Sequence, residues 1–188
     1  LSNAKYNGVF YKDKLYFYLA GTDDKKKMIL NEINLPGAVL NKFNYQDIRH
    51  AAPVIAEDLE IEVPRYATVS GNRMLISVMP FYRQGNAPKK VSQRRSDVLI
   101  RRSTVHCDTV TIAVPEGYTI ESVPSEISVD SRFGSYSLKA INNGDNVICI
   151  RRLEMKKGRH AQETYTELIE FFKKVSLADN TKISFLKS

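Results

Sequence analysis

Residues 136–153, YSLKAINNGDNVICIRRL, decide the fold of this chain. The turn-forming residues Asn142–Asp145 stand at the centre of this stretch, and an Asn-Gly pair tolerates the positive φ angles of a tight hairpin turn. Apolar-rich segments flank the turn on both sides, at Tyr136–Ile141 and Val147–Leu153. The stretch therefore predicts an antiparallel β-hairpin.

Strand patterns continue on both sides of this hairpin. Apolar and polar residues alternate at Asp58–Val63 and Thr109–Val114, which is typical of strands with one wet face and one buried face. Further strands are predicted at Met74–Met79, Asp97–Val105 and Ile183–Leu186. Because the strands in the middle of the chain follow one another without helices between them, we expect a mainly β fold, an antiparallel β-sandwich.

The segment Tyr6–Leu19 is dense in aromatic and apolar residues and is interrupted by Lys12-Asp13-Lys14. Aromatic residues favour strands, and a polar interruption favours a turn. This segment predicts a hairpin or a pair of short strands.

One helix is predicted near each end of the chain, at about 23–34 and 162–175. In the first, Thr22 is a candidate cap, Asp23 and Asp24 lie at the positive end of the dipole, and Leu35-Pro36-Gly37 ends the helix. In the second, apolar residues recur at helical spacing from Tyr165 to Val175.

The length of 188 residues, with 43% hydrophobic and 26% charged residues, indicates a folded chain and excludes a disordered or collagen-like one. We divide it into a possible tag scar (1–4), a first β-rich part with one helix (5–82), a basic polar loop and strand start (83–102) and a second β-rich part (103–188). These parts form one compact unit or, alternatively, two subdomains. No membrane span or signal peptide is expected.

Positive charge is concentrated in residues 83–102. The chain has 28 Lys and Arg against 21 Asp and Glu, and seven of those cations lie in this segment beside a single acid, Asp97. Six of them are candidate contacts for a partner or an anion: Lys89, Lys90, Arg94, Arg95, Arg101 and Arg102. Residues 84–105 contain no Phe, Tyr or His for base stacking, so we expect a solvated loop or a seat for an acidic neighbouring domain rather than nucleic-acid binding.

Catalytic and metal-ligating patterns are not found, so neither a catalytic residue, a metal nor another cofactor is expected. His50, His106 and His160 lack metal-ligand spacing, and no glycine-rich phosphate loop occurs. His106 and Cys107 are neighbours in a predicted strand and would point to opposite faces. Four carboxylates are interpreted as the solvent face of a strand: Glu57, Asp58, Glu60 and Glu62.

The two cysteines, Cys107 and Cys149, are too few for a disulfide scaffold. Both lie in predicted strands, where an ordinary buried thiol is the simpler interpretation. A single bridge between them stays open.

The second half of the chain carries a succession of motifs over residues 95–188. They are PEGYTIESVP at 115–124, SRFGSY at 131–136, RRL at 151–153 and YTELIEFF at 165–172. This succession resembles the carboxy-terminal domain of unknown function that follows the transglutaminase-like core in bacterial multidomain transglutaminase-like proteins. The resemblance implies a trailing β-sandwich and a periplasmic or extracellular location, and it places the family's Cys, His and Asp triad in the upstream core.

Two functions follow as expectations. The first is a non-catalytic accessory or interaction domain, excised from a larger transglutaminase-like or peptidase-like protein of the cell envelope and bound to its neighbouring domains. The second is a stand-alone β-sandwich that binds glycan or peptide. A docking domain should expose an apolar patch fringed by Arg94, Arg95, Arg101 or Arg102, whereas a glycan module should expose coplanar Tyr rings.

Overall fold

The computed structural model describes residues 1–91 and 93–188, so one residue of the predicted basic loop, at position 92, lies outside the description. The chain divides into two compact units, Leu1–Tyr66 and Ala67–Ser188. Residues 67–82 therefore belong to the same unit as the second half of the chain. The predicted fold class is confirmed, since both units contain antiparallel sheets and strands predominate.

The first unit combines a three-stranded sheet with two helices. Its elements are β1 (Ser2–Tyr6), α1 (Val9–Leu19), α2 (Thr22–Ile33), β2 (Val39–Ile48) and β3 (Val54–Glu62). The strand order is β1-β3-β2, and both pairings are antiparallel. Ile29 of α2 packs with Tyr45, Ile55 and Leu59 of the sheet to form a small apolar core. Of the possible tag scar at 1–4, residues 2–4 lie in β1.

The hairpin expected over Tyr6–Leu19 is wrong, because Val9–Leu19 forms α1. Tyr11, Leu15 and Phe17 pack against the apolar core of the first unit, and this tertiary packing overrides the strand preference of the aromatic residues. Lys14, interpreted as part of a polar interruption, is buried and only 4% exposed. A third helix is therefore present beside the two that the sequence predicts.

The helix predicted at 23–34 is observed as α2, within one residue at each end. Asp23 and Asp24 occupy its first turn as expected. The cap differs from the prediction, because Gly21 occupies the cap position and Thr22 is the first helical residue. The helix ends at Ile33, and Asn34 caps it in a left-handed conformation with a φ of 48°.

The second unit is a sandwich of two four-stranded antiparallel sheets, ordered β7-β11-β10-β9 and β4-β5-β13-β8, with a separate ribbon of β6 and β12. Its helix α3 (Tyr165–Asp179) follows a short 3-10 turn at Gln162–Thr164. The strands are β4 (Thr68–Ser70), β5 (Arg73–Ser77), β6 (Val98–Ile100), β7 (Thr104–Ala113), β8 (Tyr118–Ser122), β9 (Ile127–Ser131), β10 (Gly134–Asn142), β11 (Asn146–Met155), β12 (Gly158–His160) and β13 (Lys182–Lys187).

Both four-stranded sheets and α3 contribute to one apolar core. Burying each large apolar side chain contributes about 1.5–3 kcal/mol, so this core is the main source of stability of the second unit. Its buried members include Tyr136 and Leu138 of β10, Val147 and Cys149 of β11, Phe171 and Val175 of α3, and Ile183 and Phe185 of β13.

The hairpin predicted at 136–153 is confirmed as β10 and β11, joined through Gly144 with a φ of 81°. At its other end, Gly134 pairs with Met155. A Cβ on Gly134 would lie 1.9 Å from the Glu154 carbonyl oxygen, so only glycine fits there.

Two other predicted boundaries change. The single strand expected at Asp97–Val105 is wrong, because β6 and β7 are separate strands divided at Arg101-Arg102-Ser103. The helix expected to end at Val175 continues for one more turn to Asp179, which is buried. The extra turn brings the Asp179 carboxylate into the interior of the second unit.

Candidate binding surface

The basic loop is held along α3 by three hydrogen bonds. We call its described residues, 83–91 and 93–97, the basic strap. Near its start, the Gln84 backbone N–H donates to Asp179 Oδ2 at 2.8 Å. Further along, Ser176 Oγ donates to the Gly85 carbonyl at 2.6 Å, and Tyr165 Oη donates to the Lys89 carbonyl at 2.9 Å. Since Tyr165 and Asp179 are the two ends of α3, the strap follows the helix along its whole length.

A buried polar cluster anchors the first of these contacts. Arg151 of β11 donates from Nε to Asp179 Oδ1 at 2.8 Å and from Nη2 to Asp179 Oδ2 at 3.0 Å. Its Nη1 donates to Asp108 Oδ2 at 2.8 Å, and Tyr136 Oη donates to Asp179 Oδ1 at 2.7 Å. A buried carboxylate needs such partners, because an unpaired buried charge is costly.

The titration of groups in and beside this cluster follows from burial and charge. Burial, reinforced by the hydrogen bond to Asp179, raises the pKa of Tyr136 well above its ordinary value. Burial, reinforced by the Arg151 charge, lowers the pKa of His106. Tyr136 therefore keeps its proton at neutral pH, and its hydroxyl serves as a fixed hydrogen-bond donor.

The strap presents most of its predicted contact residues to solvent. Lys89, Lys90 and Arg95 are exposed. Arg94 is half-buried instead, with its guanidinium 4.3 Å from the centre of the Tyr165 ring. It also donates from Nη2 to the Asp97 carbonyl at 3.0 Å. Residues 84–105 contain no aromatic ring, and α3 supplies one for Arg94 in Tyr165. Arg94 therefore fixes the strap and does not project from it.

Arg101 and Arg102 meet two further cations that the sequence analysis missed. In the β6–β12 ribbon, Ile100 pairs with Gly158, so the residues that follow β6 run beside those that precede β12. The Lys157 backbone N–H donates to Ser103 Oγ at 2.9 Å, which holds the two segments together. We call the four exposed side chains at this ribbon end the cation cluster: Arg101, Arg102, Lys156 and Lys157.

The cation cluster has no acidic partner among residues 1–91 and 93–188. The nearby acid Asp97 is engaged elsewhere, with Arg159 Nη1 at 3.4 Å from its Oδ2. Like charges brought to one ribbon end repel one another. An incoming anion would relieve this repulsion. The doublet Lys156-Lys157 was a visible signal, but only the register of the ribbon places it beside Arg101 and Arg102.

The prediction that four carboxylates of β3 all lie on the solvent face of the strand is wrong for Glu57. Asp58 and Glu62 are exposed, but Glu57 is 2% exposed and lies on the face of Leu59. It accepts hydrogen bonds from Tyr6 Oη at 2.9 Å and from Lys14 Nζ at 3.0 Å, and a further one from Tyr45 Oη. The alternation of the strand carried this signal, because Glu57 has the same parity as Leu59 and Ile61.

The cysteines also differ from expectation in part. Cys149 is buried, as predicted, and burial raises its pKa to about 11. Cys107 is exposed, and its Sγ accepts a hydrogen bond from Arg152 Nη1 at 3.3 Å. The bridge between the two is not formed. His106 and Cys107 do lie on opposite faces of β7, as their adjacency predicts.

Neither a metal-binding cluster nor a membrane-spanning helix occurs in the described parts of the chain. Within them, no group of three or more His, Cys, Asp or Glu residues could hold a metal ion. Nor does this portion contain a helix that is both long and apolar enough to cross a membrane.

Comparison with known families assigns part of the chain. Residues 72–185 match the model of DUF3858, described as a domain of unknown function with a solved structure. The chain belongs to the DUF3858 family. Comparisons with curated proteins and with solved structures give no significant match. The part that matches DUF3858 contains the basic strap, the cation cluster and α3, so the candidate binding surface lies wholly within this family's domain.

Proposed function

We propose that this DUF3858 domain is a non-catalytic accessory domain that docks through its basic face on an acidic surface of a neighbouring domain. The observation that carries the proposal is the cation cluster, four exposed and unpaired cations at one ribbon end within the described residues. Such a set favours a partner of opposite charge, because complementary potentials guide association and fix its orientation.

The basic strap supports the same role by its attachment. Its backbone is tied to α3 at Gln84, Gly85 and Lys89. A segment that is already ordered loses less conformational entropy on binding than a mobile loop does. The exposed Lys89, Lys90 and Arg95 are thus presented on a preformed surface.

Apolar side chains accompany these cations. Val91 is 50% exposed, Leu99 of β6 is 51% exposed and Val105 of β7 is 43% exposed. Protein interfaces combine an apolar centre with a polar and charged rim. The surroundings of the strap and the ribbon contain both kinds of residue.

The proposed parent is a larger transglutaminase-like protein of the bacterial cell envelope, in which this domain follows the catalytic core. This part of the proposal is supported by the resemblance of the motifs at 115–124, 131–136, 151–153 and 165–172, together with membership of DUF3858. On this proposal, the domain lies in the periplasm or outside the cell.

The alternative, a glycan- or peptide-binding module built on exposed tyrosines, has weaker support. Tyr16 and Tyr18 are 60% and 36% exposed, but they stand two positions apart on α1 and so project in different directions. Tyr82 is 42% exposed and belongs to the other unit. These rings do not supply the coplanar platform that a sugar requires.

Two measurements test the proposal. The full reading frame should encode a transglutaminase-like core beside this domain, and a frame without one would contradict the accessory role. The 188-residue chain should also bind the rest of its parent protein in trans, measured by calorimetry. Reversing two charges of the cation cluster, Arg101→Glu with Lys156→Glu, should weaken that binding by about tenfold or more, or about 1.4 kcal/mol.

The matched control reverses two exposed lysines elsewhere, Lys5→Glu with Lys182→Glu. Both double variants carry the same net charge, so a general electrostatic effect would weaken both equally. Equal weakening, or none in either variant, would overturn docking through the cation cluster.

A further inference from the structure

We infer that β7 is an acceptor strand, to which an extended peptide segment of the partner adds as a new antiparallel strand with its acidic carboxyl-terminal end at the cation cluster. The inference rests on the proposed function for the presence of a protein partner, and it specifies the form and polarity of the segment that binds. Strand addition gains affinity from main-chain hydrogen bonds and specificity from alternate side chains.

The outer edge of β7 has no strand partner in the part of the chain that the structure describes. In the order β7-β11-β10-β9, β7 is the first strand and pairs with β11 alone. It spans ten residues, Thr104–Ala113, without a proline. A long edge strand of this kind presents a row of N–H and C=O groups that another strand can use.

The core beneath β7 is also incompletely covered. Val110 and Ile112 of β7 face inward but are only half-buried. Their partners across the ladder, Cys149 and Val147 of β11, are 0% exposed. The apolar core therefore reaches the open edge, where an added strand would bury more of Val110 and Ile112.

β7 carries few of the sequence features that protect an edge strand, since it is ten residues long and contains no Lys and no proline. Charged side chains that point inward are one such feature. Asp108, the one Asp, Glu, Lys or Arg residue in the strand, is instead neutralised by Arg151 Nη1 at 2.8 Å. The outward-facing residues are uncharged: Val105, Cys107, Thr109, Thr111 and Ala113.

The cation cluster determines which end of the added segment is acidic. It adjoins the start of β7, since Ser103 precedes Thr104 and Thr104 pairs with Met155, next to Lys156. Every pairing in this sheet is antiparallel, and an antiparallel newcomer passes the start of β7 with its own carboxyl-terminal end. Acidic residues at that end would therefore approach Arg101 and Arg102 first, since these lead into β7, whereas Lys156 and Lys157 follow β11 on its other side.

The other edge of the same sheet suits this segment less well. The edge strand β9 is five residues long, Ile127–Ser131, and it exposes Asp130. A carboxylate there would repel an acidic segment. The sheet thus offers an internal control, because the two edges belong to one fold and differ in length and charge.

The test measures amide hydrogen exchange by NMR in the 188-residue chain. The probe is a synthetic peptide of alternating Thr and Val residues that ends in a run of Glu. A matched peptide carries the same Glu run at its amino-terminal end. A third design repeats the sequence of the first peptide and carries N-methyl groups on alternate residues. It is made in two versions, each of which methylates one of the two alternating sets of backbone nitrogens.

The first peptide should protect alternate amides of Thr104–Ala113, those that face away from β11, and should leave the amides of β9 unchanged. The matched peptide should bind about tenfold more weakly. One N-methylated version should lose binding and the other should keep it, because only one set of N–H groups faces β7. These three results together would support strand addition.

The negative results distinguish a failure of strand addition from a failure of docking through the cation cluster. Shifts confined to the cation cluster, with no protection in β7, would overturn strand addition and leave docking through the cations standing. Protection of β9 instead, or equal loss with both N-methylated versions, would also overturn it. If the first peptide protects β7 equally well in the double variant Arg101→Glu with Lys156→Glu, the electrostatic part of the inference is overturned. The proposed role of the cation cluster then fails with it.

Discussion

Arg151 and Asp179 form a bidentate ion pair in which both side chains are buried, with N–O distances of 2.8 and 3.0 Å. The pair joins the centre of a sheet to the last turn of α3. Asp179 also accepts the backbone N–H of Gln84, so the same carboxylate holds the beginning of the basic strap. The candidate binding surface is therefore attached to the interior of the second unit.

Removing one partner of this pair should be costly. Arg151→Met leaves Asp179 buried without its counter-charge, and we expect the free energy of unfolding in urea to fall by about 3–5 kcal/mol. The control is Arg152→Met on the next residue, which is exposed and pairs with Glu154 at 3.0 Å. That exposed pair should contribute at most about 1 kcal/mol. Similar losses in both variants would show that burial of the Arg151 pair does not matter.

The attachment of the strap can be measured by proteolysis. Tyr165→Phe removes the hydrogen bond to the Lys89 carbonyl, and a typical hydrogen bond contributes about 1 kcal/mol. If the strap opens locally before cleavage, trypsin should cut after Lys89, Lys90 or Arg95 about fivefold faster in this variant. Tyr118→Phe, a change of the same kind on β8, should leave these sites unchanged. An unchanged rate in Tyr165→Phe would mean that this contact does not hold the strap.

Gly134 should not tolerate a side chain. Gly134→Ala places a Cβ 1.9 Å from the Glu154 carbonyl oxygen, so β10 or β11 must move. We expect a loss of about 1–3 kcal/mol or more in the free energy of unfolding, by analogy with overpacked interiors. Gly85→Ala is the control, since a Cβ there meets nothing within 4 Å. Equal stability of the two variants would contradict the close approach.

Glu121 should make the second unit sensitive to acid. Hydrogen bonds from Arg73, supported by one from Ser184, lower the pKa of Glu121 from 4.5 to about 2. Since the folded-state pKa is depressed, the ionised carboxylate stabilises the fold above about pH 4.5, and this contribution is lost as the pH falls towards about 2.

A carboxyl NMR titration of the wild-type chain should therefore show a midpoint for Glu121 near 2. In Arg73→Met the midpoint should move up towards the ordinary value, because the main cause of the shift is removed. The stability difference between wild type and Glu121→Gln should shrink over the same acid range. A midpoint that does not move in Arg73→Met would contradict the assigned cause.

Local chemistry made the β10–β11 hairpin predictable, since the Asn-Gly turn and its flanking segments lie next to one another in the chain. The helix α1 was not predictable in this way. Lys14 is tolerated inside because Glu57 and Glu32 reach it at 3.0 and 2.5 Å, and Glu57 lies on a strand far along the chain. The triplet Lys12-Asp13-Lys14 was expected to form a turn, but its last residue, Lys14, belongs to an interior ion pair.

Only part of the candidate binding surface could be predicted from the sequence, because the rest depends on pairing between distant segments. The run of cations that includes Arg101 and Arg102 is visible in composition alone. Their meeting with Lys156 and Lys157 depends on the pairing of Ile100 with Gly158, and no local pattern encodes that register. Arg94, by contrast, shows that a cation in a basic run can serve packing, since it lies over Tyr165.

The most direct test of the proposed docking is the salt dependence of binding between this chain and the rest of its parent protein, measured by calorimetry as NaCl is raised. We predict that the logarithm of the binding constant falls steadily with the logarithm of salt concentration for the wild type, because exposed charges are screened. The slope should flatten clearly in Arg101→Glu with Lys156→Glu, and not in Lys5→Glu with Lys182→Glu. A wild-type affinity that does not respond to salt, or equal slopes in all three proteins, would contradict docking through the cation cluster.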